Sequence, residues 1–131
     1  MLGLTIVLLL GCGSSDGRHE LEGTVTLDGE PLREGSIVFQ PMPGTQSPTA
    51  GAPIRDGRFE VAAGGGAHPG EFRVEITAIR GTGKRRMDPM VGREIEVTEQ
   101  YLPARYNRRS ELMAQVSSSG SNHFEFDLHS D

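Results

Sequence analysis

Tryptophan is missing from this chain, cysteine occurs once, and aromatic residues make up 5% of it. A single cysteine excludes an intrachain disulfide, so no covalent staple stands in for a hydrophobic core. With few aromatics, that core has to come from Val, Ile, Leu and Phe. No basic stripe interleaved with aromatics exists, which excludes the usual means of gripping nucleic acid. Thirteen basic and eighteen acidic side chains are mixed along the sequence, and the net charge of −5 bears on solubility rather than on partners. What the chain does have is glycine and proline, eighteen and eight respectively. Both are poor in helix interiors, so they point to many turns and argue against a helical bundle. At 131 residues, one modest domain is expected.

Leu2 to Leu10 is apolar apart from Gly3 and Thr5. The run is about half of the roughly 20 residues a membrane-spanning helix needs, but it fits the apolar region of a secretory signal. No Lys or Arg precedes it, a departure from the usual signal pattern. Leu9-Leu10-Gly11-Cys12 follows, then Gly13-Ser14-Ser15-Asp16. This resembles the bacterial lipobox, with an aliphatic residue three before the cysteine and a small one directly before it. The resemblance implies cleavage before Cys12, a diacylglyceryl group on its thiol and acylation, with palmitate for example, of the new amino terminus. A buried core cysteine and a plain signal cut elsewhere are the competing readings, and the lipid anchor is preferred. One acyl chain holds a protein only marginally in a bilayer, whereas two or more anchor it stably.

Three regions follow from this: a signal peptide over 1–11, lipidated Cys12 with a tether over 12–19, and a domain over 20–131. Fully extended, the seven residues Gly13 to His19 reach about 25 Å at most, which holds the domain close to the bilayer. From Glu20 onward the apolar pattern has period two. Leu21, Val25 and Leu27 alternate with polar residues, as do Ile37 and Phe39, then Phe59 and Val61. Phe72, Val74, Ile76 and Ala78 form the clearest alternating strand, with Arg73, Glu75 and Thr77 turned to water. Leu112, Ala114 and Val116, then Phe124, Phe126 and Leu128, close the chain. Asp28-Gly29-Glu30-Pro31 is a turn signal, and Asp56-Gly57 is a strong hairpin dipeptide. The segment from Gly81 to about Asn107 reads as long and irregular. About seven short strands at regular spacing predict an all-β, antiparallel sandwich.

The runs Leu21-Glu22-Gly23-Thr24-Val25 through Pro31-Leu32, and Gly35-Ser36-Ile37-Val38-Phe39, resemble the start of a carboxypeptidase regulatory-like domain. Asp56-Gly57-Arg58-Phe59, Pro69-Gly70-Glu71-Phe72-Arg73-Val74 and Leu102-Pro103-Ala104-Arg105-Tyr106-Asn107 extend the likeness. With the lipobox, the chain resembles the small transthyretin-like lipoproteins abundant in planctomycete bacteria. The resemblance implies a seven-stranded transthyretin-like (prealbumin-like) sandwich of immunoglobulin-like Greek-key type. It implies almost nothing about molecular function, because that fold hosts many roles.

Catalytic signals are not found. His19, His68, His123 and His129 stand at no metal-ligand spacing, and Asp28, Asp56 and Asp88 are isolated in separate turns. No serine lies in a nucleophile elbow. The transthyretin superfamily includes a 5-hydroxyisourate hydrolase marked by a C-terminal Tyr-Arg-Gly-Ser, but this chain ends Leu128-His129-Ser130-Asp131. No cofactor, metal or catalytic residue is therefore expected. Arg80-Gly81-Thr82-Gly83-Lys84-Arg85-Arg86 is the basic cluster of the chain. It could touch anionic headgroups, but a solvated loop is the preferred reading. Tyr101 and Tyr106 are candidate ligand contacts; Tyr106 more readily covers the open end of a sandwich, and Tyr101 is open to either role.

The expected protein is an exported lipoprotein of the bacterial cell envelope, periplasmic or on the outer surface. It is held to the membrane through Cys12, without catalytic activity, and binds another envelope protein or serves a structural role. A carbohydrate or small ligand is the alternative.

Overall fold

Alternation of buried and exposed side chains runs through residues 17–119 and 121–131, the residues described by the computed structural model. The signal segment with Leu9, Leu10 and Gly11, Cys12 itself and the first tether residues lie outside the described residues. Ten strands form: β1 Leu21–Leu27, β2 Glu30–Pro31, β3 Glu34–Pro41, β4 Ala50–Arg55, β5 Arg58–Val61, β6 Gly70–Thr77, β7 Ile79–Asp88, β8 Arg93–Gln100, β9 Met113–Val116 and β10 His123–Leu128. Two 3-10 turns, Ala63–Gly65 and Ala104–Tyr106, are the helical elements among the described residues. The fold is all-β.

The main sheet runs β10-β1-β5-β4-β3-β6-β9, with β2 folded back onto β1. Its middle link, β4 to β5, rests on the single pair Arg55↔Arg58, so the sheet curls there into two layers over one core. Buried side chains at every second position fill the space between. They include Leu21 and Val25 of β1, Ile37 and Phe39 of β3, Phe59 of β5, and Phe72, Val74 and Ile76 of β6. Each such side chain contributes roughly 1.5–3 kcal/mol by leaving water. The Phe39 ring lies 5.9 Å from Phe59 and 5.6 Å from Phe124, joining β3 to the opposite layer.

The turns behave as their residues dictate. Asp28 and Gly29 both have positive φ (53° and 84°), and so do Asp56 and Gly57 (50° and 77°). That geometry matches the right-handed twist of flanking strands and forms two-residue hairpin loops, where Asp and Gly are tolerated best.

Three features depart from expectation. The first is the pairing of β1 with β10, which is parallel, from Glu22↔His123 to Leu27↔Leu128, within an otherwise antiparallel sheet. The short connection over 117–122 carries the chain from β9, at one end of the strand order, to β10 at the other, where it runs beside β1 in the same direction. Close approach is needed there: a Cβ on Gly23 would lie 2.0 Å from the Phe124 carbonyl oxygen. The second is residues 79–100, which are not an irregular loop but a separate hairpin, β7 with β8, carrying a register shift between Gly81 and Arg85. Most of its side chains are exposed on both faces, so the apolar half of the alternation that marks a core strand is largely absent. The third is Arg73, which does not simply face water. Its guanidinium donates to the carbonyls of Ser110 (2.9 Å), Asn107 (3.1 Å) and Arg108 (3.2 Å), binding the segment after Tyr106 to β6.

Candidate functional site

Strand register assigns each loop to an end of the sandwich. β1 begins at Leu21 beside Val61, and His19 bridges Ala67, so the chain enters at the end where β6 starts. At the other end lie the Asp28-Gly29 turn, the start of β3, the Asp56-Gly57 turn and the end of β6, where Ser36 pairs with Thr77. The β7–β8 hairpin leaves from that second end.

An open groove of about 710 Å³ sits at the hairpin base, lined by Arg33, Glu34, Arg55, Asp56, Ile79, Arg80 and Tyr101. Three guanidinium groups share it with the Glu34 and Asp56 carboxylates, one aromatic ring and an exposed aliphatic side chain, so the lining carries a net positive charge. The Arg80 guanidinium lies over the Tyr101 ring, 5.0 Å from its centroid, and its Nε–H donates to Glu99 Oε1 at 3.0 Å. Cation–π attraction and the ion pair together hold Arg80 in place. Arg33 and Arg55 make no ion pair among the described residues, and their side chains are exposed. Planar, permanently charged and weakly hydrated, such groups suit carboxylate or phosphate acceptors.

Gln100 organises the base. Its Oε1 accepts from the N–H groups of Leu102 (2.8 Å) and Ala78 (3.3 Å), and its Nε2 donates to the Leu102 carbonyl at 2.7 Å. Tyr101 N–H donates to Ala78 O at 3.1 Å. These bonds fix where Tyr101 points. Nothing in the sequence marked Gln100; a glutamine at a strand end has no distinguishing pattern.

The two candidate tyrosines are not brought together. Tyr101 is half-buried and lines the groove. Tyr106 is buried, its ring carries the Arg105 guanidinium at 4.8 Å, and its hydroxyl oxygen accepts the His129 N–H at 2.8 Å. It closes the core under the C-terminus. Arg33 and Arg55, far apart in sequence and joined through the β3–β4 pairing, were not signalled as site residues.

Elsewhere the polar groups are structural. Asn107 Nδ2 donates to the carbonyls of Ile76 and Pro103, both at 3.2 Å, and Asn122 bridges Ser117 across the β9–β10 turn. His123 lies 3.8 Å from Glu22 and 3.7 Å from Glu125 on the exposed face of β1 and β10. Asp28 accepts from Ser130 Oγ (2.7 Å) and Ser130 N (3.0 Å). The Ser130 hydroxyl bond, then the backbone bond, hold the Asp28 carboxyl below its ordinary value, helped by the nearby His129. Among the described residues, no three His, Cys, Asp or Glu side chains gather as a metal site would require. No described helix is long and apolar enough to cross a membrane.

No family model and no curated protein matches the chain. Among solved structures, a 9R-lipoxygenase from Cyanothece PCC8801 superposes with a TM-score of 0.39 at 13% identity. The superposition covers 88% of this chain but 17% of the lipoxygenase, a similarity too slight to bear on the role of the groove.

Proposed function

We propose that this chain is a lipid-anchored protein of the bacterial cell envelope, with Cys12 as the attachment point. Its transthyretin-like sandwich works as a non-catalytic binding module. Setting aside the two-residue β2 and the separate hairpin leaves three strands in one layer and four in the other, which supports the seven-stranded reading. The observation that carries the proposal is the polarity of the domain. The tether enters at one end, and the arginine groove opens at the other. An anchor at Cys12 would present the groove away from the attachment point, where a partner can reach it.

The groove favours an acidic protein surface over a neutral sugar. A sugar would stack on a free aromatic face, and the Tyr101 face is covered by Arg80. Arg33 and Arg55 offer unengaged forks to carboxylates. A carbohydrate or small-ligand role is the alternative that this cover disfavours.

The test has two arms in the producing cell. Wild type and Cys12→Ser are labelled with an alkyne fatty acid and fractionated; label and membrane association should both vanish in the variant. A photo-crosslinker at Ile79 should then capture one recurrent protein, lost in Arg33→Glu/Arg55→Glu. Equal labelling of both chains refutes the anchor, and scattered capture unaffected by the arginine changes refutes the groove.

A further inference from the structure

The tip of the β7–β8 hairpin carries an apolar cluster that the fold leaves in water. Met90 is 94% exposed, Met87 61% and Val91 54%, so three of the five large exposed hydrophobics among the described residues fall within five residues. Scattered apolar side chains on a surface are ordinary; a cluster at the end of a projecting element is not. From Gly81 to Asp88 the hairpin extends over about 25 Å, and among the described residues its strands pair only with each other.

The tip is also held in shape. Asp88 Oδ1 accepts from the N–H groups of Met90 (2.8 Å) and Val91 (3.3 Å), and Gly92 N–H donates to Asp88 O at 2.8 Å. Gly92 has φ +73°, the left-handed conformation that lets the chain turn back into β8. Met90 and Val91 are therefore presented outward by a tied loop.

Charge completes the pattern. From Lys84 to Glu94 there are four basic and two acidic side chains. Arg85 lies 3.6 Å from Glu94, and the Asp88 carboxylate is taken up by the loop. Lys84, Arg86 and Arg93 are exposed and make no ion pair among the described residues.

We infer that this tip is a membrane-docking wedge: Met87, Met90 and Val91 enter the interface of an anionic bilayer, and Lys84, Arg86 and Arg93 meet the lipid phosphates around them. A convex knob can bury its apolar side chains only in a matching pocket or in a medium that closes around it. A fluid bilayer does the latter, and it places anionic groups above an apolar layer, the order that the tip mirrors. The hairpin leaves the sandwich at the end opposite the tether, so on a bilayer that also holds Cys12 the sandwich lies lengthwise along the surface, and the groove stays away from the attachment point.

Because the chain has no tryptophan, Met90→Trp in the full-length protein reports on the tip alone, whatever the N-terminal segment does. Vesicles of phosphatidylcholine with phosphatidylglycerol should shift its emission to the blue, and brominated lipid should quench it. Pure phosphatidylcholine should do neither at matched concentration. Neutralising Lys84, Arg86 or Arg93 to Gln should weaken the response about fivefold each, from roughly 1 kcal/mol per cation at a charged surface. Met113→Trp, exposed on β9, is the control for general adsorption.

Unshifted Met90→Trp emission on anionic vesicles overturns the inference. So does an equal response from Met113→Trp. A shift that appears without lipid and grows with protein concentration assigns the tip to a second copy instead. A shift only with delipidated envelope extract assigns it to a protein partner.

Discussion

Adding one methyl group at Gly23 should be among the most damaging single changes to this fold. A Cβ there would lie 2.0 Å from the Phe124 carbonyl oxygen, 2.9 Å from its carbon and 2.7 Å from Phe59 Cζ. The first two are backbone atoms of β10 and cannot swing aside, so β1 and β10 must part by more than about 1 Å to restore ordinary contact. β10 is the end strand and, among the described residues, pairs with β1 alone. Losing two ladder hydrogen bonds costs about 2 kcal/mol, and disturbing the packed Phe59 adds about 1–2 kcal/mol. Gly23→Ala should therefore lose roughly 3–4 kcal/mol and lower the melting temperature by roughly 10–15 °C. Urea unfolding followed by far-ultraviolet circular dichroism measures it. Gly64→Ala, with nothing within 4 Å of the new methyl, is the matched control and should move little. A Gly23→Ala loss below about 0.5 kcal/mol would show that β10 is not held at the observed distance, and the parallel pairing would have to be abandoned.

Arg73→Met should cost roughly 2 kcal/mol, because three backbone carbonyls lose a charged donor, and amide exchange should quicken over 107–110. Unchanged exchange there would mean that the segment is held by Asn107 and Ser110 alone. Tyr106→Phe removes the acceptor for His129 N–H and should cost about 1 kcal/mol, with faster exchange confined to the C-terminal residues. Asp28 is depressed in the folded chain, so its contribution is full above its unfolded value, near 3.8, and is lost as pH falls through the lower folded value. Acidification from about pH 5 to about pH 2 should therefore narrow the stability gap between wild type and Asp28→Asn. A constant gap across that range would show that the Ser130 bonds do not favour the ionised form.

Much of the architecture was legible in the residues. Period-two runs such as Phe72-Arg73-Val74-Glu75-Ile76 became strands because burial on one face leaves a visible alternation. The Asp-Gly pairs became two-residue turns because few other residues accept positive φ there. The hairpin is not legible in the sequence because its β8 apolar alternation is confined to Ile95 and Val97, flanked by glutamates that resemble any solvated segment. Its pairing depends on backbone hydrogen bonds, which leave little compositional trace. The arginine groove was hidden for a different reason. Arg33, Arg55 and Arg80 lie in three separate stretches, and only strand register brings them to one end.

The sequence by itself determined what is local: the all-β class through alternation, the turn positions through Asp-Gly, and a cysteine set where an apolar run meets a glycine- and serine-rich stretch. Tertiary structure alone decided the parallel return of β10 along β1, the role of Tyr106 as a C-terminal clasp, and the gathering of arginines opposite the tether. Those outcomes depend on which distant segments share the core. That choice is made by packing and pairing over the whole chain, and no window of neighbouring residues contains it.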